Sequence, residues 1–164
     1  YLTLQDPFCL FYLRFVEGKD SLSSNFWTNN ITSQQIISWR GLAFENLCFR
    51  HIKQIKNTLG ISGVETSVSA WFQKGTEDNS GFQIDMLIYR KDNVVNMCEI
   101  KFYNDDYEVD NQYMRLLMRR RNTLEGILPK RVSIQSTLIT TFGLKYNKYS
   151  NSFNNTIVLD DLFS

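Results

Sequence analysis

Residues 81–102, GFQIDMLIYRKDNVVNMCEIKF, decide the fold of this chain. Apolar and polar side chains alternate over residues 82–90 and again over 94–102, and this period of two is typical of β-strands. The intervening residues 91–93, Lys-Asp-Asn, have the composition of a short turn. The segment therefore predicts an antiparallel hairpin with a three-residue loop.

A three-residue loop sets the register of this hairpin. Asp85 then lies opposite Glu99, and Gln83 lies opposite Lys101 on the same face. The other face is expected to pair Phe82, Ile84, Met86 and Ile88 with Phe102, Ile100, Cys98 and Asn96. A slip of one residue would put the apolar side chains out of phase, so the pattern supports this register, whereas a two-residue loop would break it.

Two carboxylates facing each other on neighbouring strands call for a positive charge. Side chains in such positions lie about 5 Å apart, and at an effective dielectric near 20 their repulsion is roughly 3 kcal/mol. Lys101 supplies one positive charge against the two negative charges of Asp85 and Glu99. Magnesium prefers oxygen ligands and retains water and substrate phosphates, so a bound cation would complete a site able to activate water for attack on a phosphodiester.

The rest of the chain predicts a mixed α/β fold around this hairpin. An apolar stripe at helical spacing predicts a long helix over residues 35–59, and a second helix is expected over 111–127. Further strands are expected at residues 64–72, 132–141 and 156–159. The resulting order, αβββαβ with a short last strand, predicts a central mixed β-sheet flanked by helices.

The acidic pair and its surroundings resemble a known nuclease superfamily. Asp85, followed by Glu99-Ile-Lys101 on consecutive strands and preceded by a helical Glu45, is similar to the PD-(D/E)xK pattern, although Ile84 stands where the pattern has proline. The resemblance implies a restriction-endonuclease-like fold that binds Mg²⁺ or Mn²⁺. It also implies that Asp85 and Glu99 are metal ligands, that Lys101 is the catalytic lysine, and that Glu45 and Gln112 are accessory residues beside the site.

A narrower resemblance extends over nearly the whole chain. The opening YLTLQDPF…FYLRFVE, the helix WRGLAFE at residues 39–45 and GFQIDMLI…CEIKF resemble the C-terminal region of a prokaryotic AAA-type ATPase family, often called DUF234-like. The resemblance implies that residues 1–34 are a remnant or linker from an upstream winged-helix and ATPase module and that residues 35–164 are the nuclease-like domain. It also implies that this upstream module is a partner in the same polypeptide.

Composition and charge restrict the classes of function. The 164 residues carry 18 basic and 17 acidic side chains, a net charge of +1, which excludes a protein that coats polyanions by bulk charge. Basic side chains nevertheless gather between residues 111 and 131, where they could contact phosphates or could form a solvated helix face. The candidate nucleic-acid-binding residues are Arg115, Arg119, Arg120, Lys130 and Arg131.

Other cofactors and compartments are limited by what the sequence contains. Three widely spaced cysteines and a single histidine supply neither a zinc-binding pattern nor a disulfide framework, which favours a cytoplasmic protein with reduced thiols. No Gly-rich phosphate loop is present, so this chain is not expected to bind a nucleotide itself. No run approaches the roughly 20 apolar residues of a membrane span.

Two functions remain open from the sequence. The first is a divalent-metal-dependent nuclease that hydrolyses phosphodiester bonds in DNA. The second is an inactive nuclease-like domain that binds DNA or protein and regulates the ATPase. Both functions are compatible with a homo-oligomer.

Overall fold

The computed structural model describes residues 6–18, 24–75 and 81–164. The chain divides into two compact units, Tyr1–Arg50 and His51–Ser164. The expected boundary after residue 34 differs from this division, because the first unit also contains a long helix that the resemblance assigns to the nuclease-like part. The origin of residues 1–34 in an upstream module stays a prediction, and residues 1–5 and 19–23 of that segment lie outside the described residues.

The first unit is helical and contains an aromatic cluster. Its helices are α1 (Pro7–Phe11), which continues as a π-helical segment Tyr12–Val16, α2 (Phe26–Asn30) and α3 (Gln34–Arg50). Asp6 caps α1 by accepting hydrogen bonds from two backbone N–H groups of its first turn, and proline follows the cap directly. Ring contacts join the three helices and the π-helical segment through Phe11, Phe15, Phe26, Trp27 and Trp39.

The second unit holds a β-sheet and its helices. The elements in chain order are α4 (Ile52–Thr58), β1 (Thr66–Gln73), β2 (Phe82–Arg90), β3 (Val94–Lys101), α5 (Asn111–Ile127), β4 (Ser133–Thr140) and β5 (Asn155–Val158). The single helix expected over residues 35–59 is interrupted at His51, whose φ of −103° and ψ of 27° depart from helical values. The strands expected from alternation and the helix over residues 111–127 are confirmed, with ends that shift by one or two residues.

The sheet is mixed, and its spatial order follows the chain. The strands lie in the order β1-β2-β3-β4-β5. β1, β2 and β3 are antiparallel neighbours, whereas β4 is parallel to β3 and β5 is parallel to β4. Since parallel strands need a crossover connection, α5 lies in the chain between β3 and β4. The mixed α/β fold with helices around a central sheet is therefore confirmed.

Helix α5 packs against one face of this sheet. Its buried Leu117 and Leu124 belong to a core cluster with Leu87 of β2, Met97 of β3 and Leu138 of β4. Residues at helical spacing thus place one stripe of α5 over the middle strands. Any polar side chain on the same stripe must also point toward the sheet.

None of the helices in these described segments is long and apolar enough to span a bilayer.

Candidate active site

The register of the β2–β3 hairpin agrees with the expected one. Met86 pairs with Cys98, Leu87 with Met97, Ile88 with Asn96 and Tyr89 with Val95. The loop consists of three residues, and its last residue, Asn93, has a φ of 62°. A left-handed residue at the end of a three-residue loop is the usual geometry of such hairpins, and asparagine tolerates it better than most residues. The prediction of a three-residue loop is confirmed.

The regular ladder ends at Met86, and a β-bulge begins there. Between β1 and β2, Ser69 pairs with Leu87 but Trp71 pairs with Ile84, so Asp85 and Met86 together lie opposite Ala70. A bulge adds one residue and bends the strand, and bulges are common beside active sites.

The bulge overturns part of the expected alternation. Phe82 and Ile84 join the core cluster that contains Leu87. Regular alternation instead predicts them on the face opposite to Asp85, together with Met86 and Ile88. Gln83 is exposed at the beginning of the strand. Its expected pairing with Lys101, like the expected pairing of Asp85 with Glu99, lies beyond the paired residues of the ladder. The extra residue of the bulge shifts the alternation by one, and the pattern of side chains in β2 gave no sign of it.

Asp85 is buried and oriented by the backbone of the facing strand. Asp85 is only 8% exposed. Its Oδ2 accepts a hydrogen bond from the backbone N–H of Ile100 over 2.9 Å. The carboxylate thus accepts a backbone N–H that would otherwise donate to a carbonyl of the facing strand, just beyond the last paired residues of the β2–β3 ladder. The same oxygen lies 3.8 Å from Nζ of Lys101, whose side chain is 29% exposed. These contacts bring Asp85 and Lys101 together, and their roles as metal ligand and catalytic lysine stay predictions.

Glu99 is fully buried and is held by two side chains of α5. The hydroxyl of Tyr113 donates a hydrogen bond to its Oε2 over 2.8 Å, and Nη1 of Arg120 forms an ion pair with the same oxygen. Tyr113 and Arg120 lie on the stripe of α5 that carries Leu117 and Leu124, because residues separated by three, four or seven positions share a helix face. The polar cluster of Asp85, Glu99, Lys101, Tyr113 and Arg120 is named the acidic cluster below.

The position of Arg120 corrects one prediction. Arg120 is predicted to contact nucleic acid, but the residue is 9% exposed and its guanidinium contacts Glu99 in the interior. The reason is the apolar stripe on either side of it, which fixes the direction of the side chain. Tyr113 is not among the predicted site residues, although its place on the same stripe indicates that its side chain also faces the sheet.

The charges of the acidic cluster balance. Asp85 and Glu99 contribute two negative charges, and Lys101 and Arg120 contribute two positive ones. Burial holds the pKa of Glu99 above its ordinary value, although the positive charge of Arg120 acts to lower it. Burial by itself would lower the pKa of Arg120, but the attraction of Glu99 raises it above its ordinary value, so the guanidinium remains charged. The excess negative charge expected from the sequence is therefore offset by a residue of α5.

The oxygens of the two carboxylates nevertheless suit a divalent cation. Each carboxylate is bound by the protein through one oxygen, Oδ2 of Asp85 and Oε2 of Glu99. Over the described residues, Oε1 of Glu99 is buried without a hydrogen-bond partner. An orphaned buried carboxylate oxygen is costly, and hard oxygen donors are what Mg²⁺ and Mn²⁺ prefer. Asp85 and Glu99 thus fit as ligands, although these segments contain no group of three or more His, Cys, Asp or Glu residues that could hold a metal.

The accessory residues named by the resemblance lie in different places. Glu45 is a half-buried residue of α3 in the first unit, and its role beside the acidic cluster stays a prediction. Gln112 is exposed in the first turn of α5, where it lines an open pocket with Asp110, Asn111 and Arg115.

The other proposed phosphate contacts lie at or near the surface. Arg115, Lys130 and Arg131 are exposed. The guanidinium of Arg119 lies 5.5 Å from the ring centre of Phe82, which is a cation–π distance. Arg121 was not proposed as a contact, and it is tied to the sheet through the backbone carbonyl of Ile134 and to Glu125 on its own helix.

Comparisons with known proteins give a likeness to a solved structure and no family. No family model matches the chain, and no curated protein matches it. The chain is similar to a crystal structure described as a protein of unknown function, AF1548, at 18% identity and a TM-score of 0.45. That likeness covers 71% of this chain and 64% of the other, so the chain spans less than two thirds of that protein's length.

Proposed function

We propose that this chain is a PD-(D/E)xK nuclease-like domain that hydrolyses phosphodiester bonds in DNA with Mg²⁺ or Mn²⁺, as the C-terminal part of a larger cytoplasmic ATPase. The observation that carries the proposal is the arrangement of Asp85 and Glu99 beside Lys101, with one buried oxygen of Glu99 lacking a donor. The element order αβββαβ around a mixed sheet supports a restriction-endonuclease-like fold.

The residues of the acidic cluster have separable tasks in such a reaction. A divalent ion held by Asp85 and Glu99 would polarise a phosphodiester and lower the pKa of bound water. The backbone N–H of Ile100 fixes the direction of the Asp85 carboxylate. Lys101 lies against that carboxylate with part of its side chain open to solvent, so it can orient the attacking water and offset charge that develops on the phosphate.

Surface residues of α5 and the turn after it would contact the DNA backbone. Arg115, Arg119, Lys130 and Arg131 are the residues proposed for this task, while Gln112 and Glu45 are proposed as accessory groups. Phosphate contacts of this kind position a nucleic acid without reading its sequence.

One observation favours a second function. Because Arg120 already balances the charge of Glu99, the acidic cluster can persist as a folded element with no ion at all. A domain of this kind would bind DNA or protein and regulate the ATPase without cutting. The acidic cluster would then be a structural device rather than a catalytic one.

Cleavage assays on the whole chain separate the two functions. Linear and supercoiled DNA are incubated with the protein and Mn²⁺, and we expect nicking or cutting that falls about 10²- to 10³-fold in a Lys101→Ala variant, because a preorganised charge at the reacting group is lost. The matched control is Lys145→Ala, which removes an exposed lysine whose partner is Glu108. Absence of cleavage with Mg²⁺ and Mn²⁺, together with absence of metal binding by calorimetry, would contradict the nuclease and favour the binding module.

A further inference from the structure

We infer that Arg120 is an internal counter-ion that occupies Glu99 until a divalent cation displaces it, so that this arginine sets the metal affinity of the acidic cluster. The inference rests on the proposed function, since it concerns the same two carboxylates. It adds a residue that the PD-(D/E)xK pattern of the chain does not contain.

The hold of Arg120 on Glu99 is incomplete. Its Nη1 contacts Oε2 of Glu99, but its Nε is buried without a hydrogen-bond partner within the described segments, as is Oε1 of the same glutamate. A bidentate arginine–carboxylate pair would use two N–H groups and both oxygens. The pair therefore joins the charges while leaving one donor and one acceptor unsatisfied, and a ligand that satisfies Oε1 can compete with it.

The charge balance makes the competition unavoidable. With Arg120 in place the acidic cluster is neutral, so a divalent ion would raise its formal charge to +2. With Arg120 withdrawn, Asp85, Glu99 and Lys101 sum to −1, and the same ion brings the total to +1. Charges this close interact strongly in a partly buried site, so the ion and the guanidinium disfavour each other at Glu99.

The next residue of the helix provides a matched comparison. Arg121 has the same side chain, but it donates to the backbone carbonyl of Ile134 over 3.0 Å and forms an ion pair with Glu125. No hydrogen bond or ion pair described for it involves Asp85 or Glu99. Removing Arg121 therefore changes helix packing and surface charge without touching the carboxylates.

Calorimetric titration with Mn²⁺ tests the inference on the whole chain. We expect Arg120→Met to bind Mn²⁺ about ten- to a hundredfold more tightly than the unaltered chain, a change that corresponds to one charge-assisted hydrogen bond. Arg121→Met should bind like the unaltered chain. Adding Glu99→Gln to Arg120→Met should abolish the gain, because the orphaned oxygen then belongs to a neutral amide.

The rise in melting temperature that Mn²⁺ causes provides a second readout, and loss of a purely structural arginine would not enlarge it. Arg120→Met should melt below the unaltered chain without metal, and Mn²⁺ should raise its melting temperature by more than it raises that of the unaltered chain. If Arg120→Met does not fold, Arg120→Gln keeps a hydrogen-bond donor for Glu99 without the charge, and the same gain in affinity is expected.

The outcomes distinguish this inference from the proposed function. If the unaltered chain binds Mn²⁺ and the Arg120 variants bind it equally or more weakly, the inference is overturned while the metal site stands. If the Arg120 variants fold and neither they nor the unaltered chain bind Mn²⁺ or Mg²⁺, the metal-dependent function itself is wrong. If only the Arg120 variants bind, the inference is supported in its strongest form.

Discussion

The two ends of the β2–β3 hairpin are built on different principles. At the loop end, the ladder is regular up to Tyr89 and Val95, and the turn depends on one left-handed residue, Asn93. At the other end, the ladder stops at Met86, a bulge follows, and a carboxylate of Asp85 accepts the N–H of Ile100. Local sequence is enough to specify the first end, whereas the second depends on side chains brought from α5.

This difference predicts where substitutions will be costly. The end of the hairpin that carries Asp85 buries charges that must be paired. Leaving a buried charge unpaired destabilises a fold more than most other single substitutions do. The loop end is exposed and depends on backbone conformation. Three predictions address the two ends in order of expected effect.

The largest effect is expected from Arg120→Met. Removing this guanidinium leaves Glu99 buried without its counter-ion, so the free energy of unfolding should fall by about 3–5 kcal/mol. Urea-induced unfolding at neutral pH without metal measures this change. The double variant Glu99→Gln/Arg120→Met should recover most of the loss, because the remaining amide is neutral and can still accept the Tyr113 hydroxyl. A double variant as unstable as the single one would show that Arg120 acts through packing rather than charge.

An intermediate effect is expected at Asp85. The Asp85→Ala substitution removes the acceptor of the buried Ile100 N–H, so the free energy of unfolding should fall by roughly 1–3 kcal/mol relative to Asp85→Asn, which keeps an acceptor oxygen. Hydrogen exchange of the Ile100 amide provides a local measure and should be faster in the alanine variant. Equal exchange rates in both variants would mean that the side chain does not cap the broken ladder.

The smallest effect is expected at the loop end. Asn93→Ala should lower the free energy of unfolding by about 1 kcal/mol, because a residue with a Cβ atom is strained at a φ of 62° and alanine lacks the compensating amide. Asn93→Gly should keep or raise stability, since glycine adopts this conformation freely. In calorimetric titrations, both variants should bind Mn²⁺ with the same affinity as the unaltered chain. A changed affinity would mean that the two ends of the hairpin are coupled.

Sequence alone predicted most of the fold, for reasons visible in its strands. The loop of three residues, together with the alternation on either side of it, was sufficient to predict the β2–β3 register over the paired residues from Met86 to Tyr89. The bulge was not predictable, because its two residues, Asp85 and Met86, include no glycine to mark it. The interruption at His51 was missed for a similar reason, since the apolar stripe continues through it.

The candidate site was predicted only in part. The proximity of Asp85, Glu99 and Lys101 was predicted from their spacing, because the register of a hairpin determines which residues of its two strands are neighbours. Arg120 and Tyr113 come from a helix that crosses the sheet, and counting basic residues assigned Arg120 to the surface. The prediction for Arg120 did not take into account that Leu117 and Leu124 mark the buried face of α5. That face determines which arginine points inward.

The consecutive order of the strands has a consequence for how the domain assembles. The hairpin that carries Asp85 and Glu99 can form over a short closure, because β2 and β3 are neighbours in the sequence and in the sheet. Arg120 reaches Glu99 only when α5 docks on the sheet, a contact between residues that are 21 positions apart. Before α5 docks, the folding chain carries the negative charges of Asp85 and Glu99 on one pair of strands, and Lys101 is the nearby positive charge. Docking of α5 is thus the event that neutralises the acidic pair, and a step of the folding reaction that depends on ionic strength is expected to coincide with it.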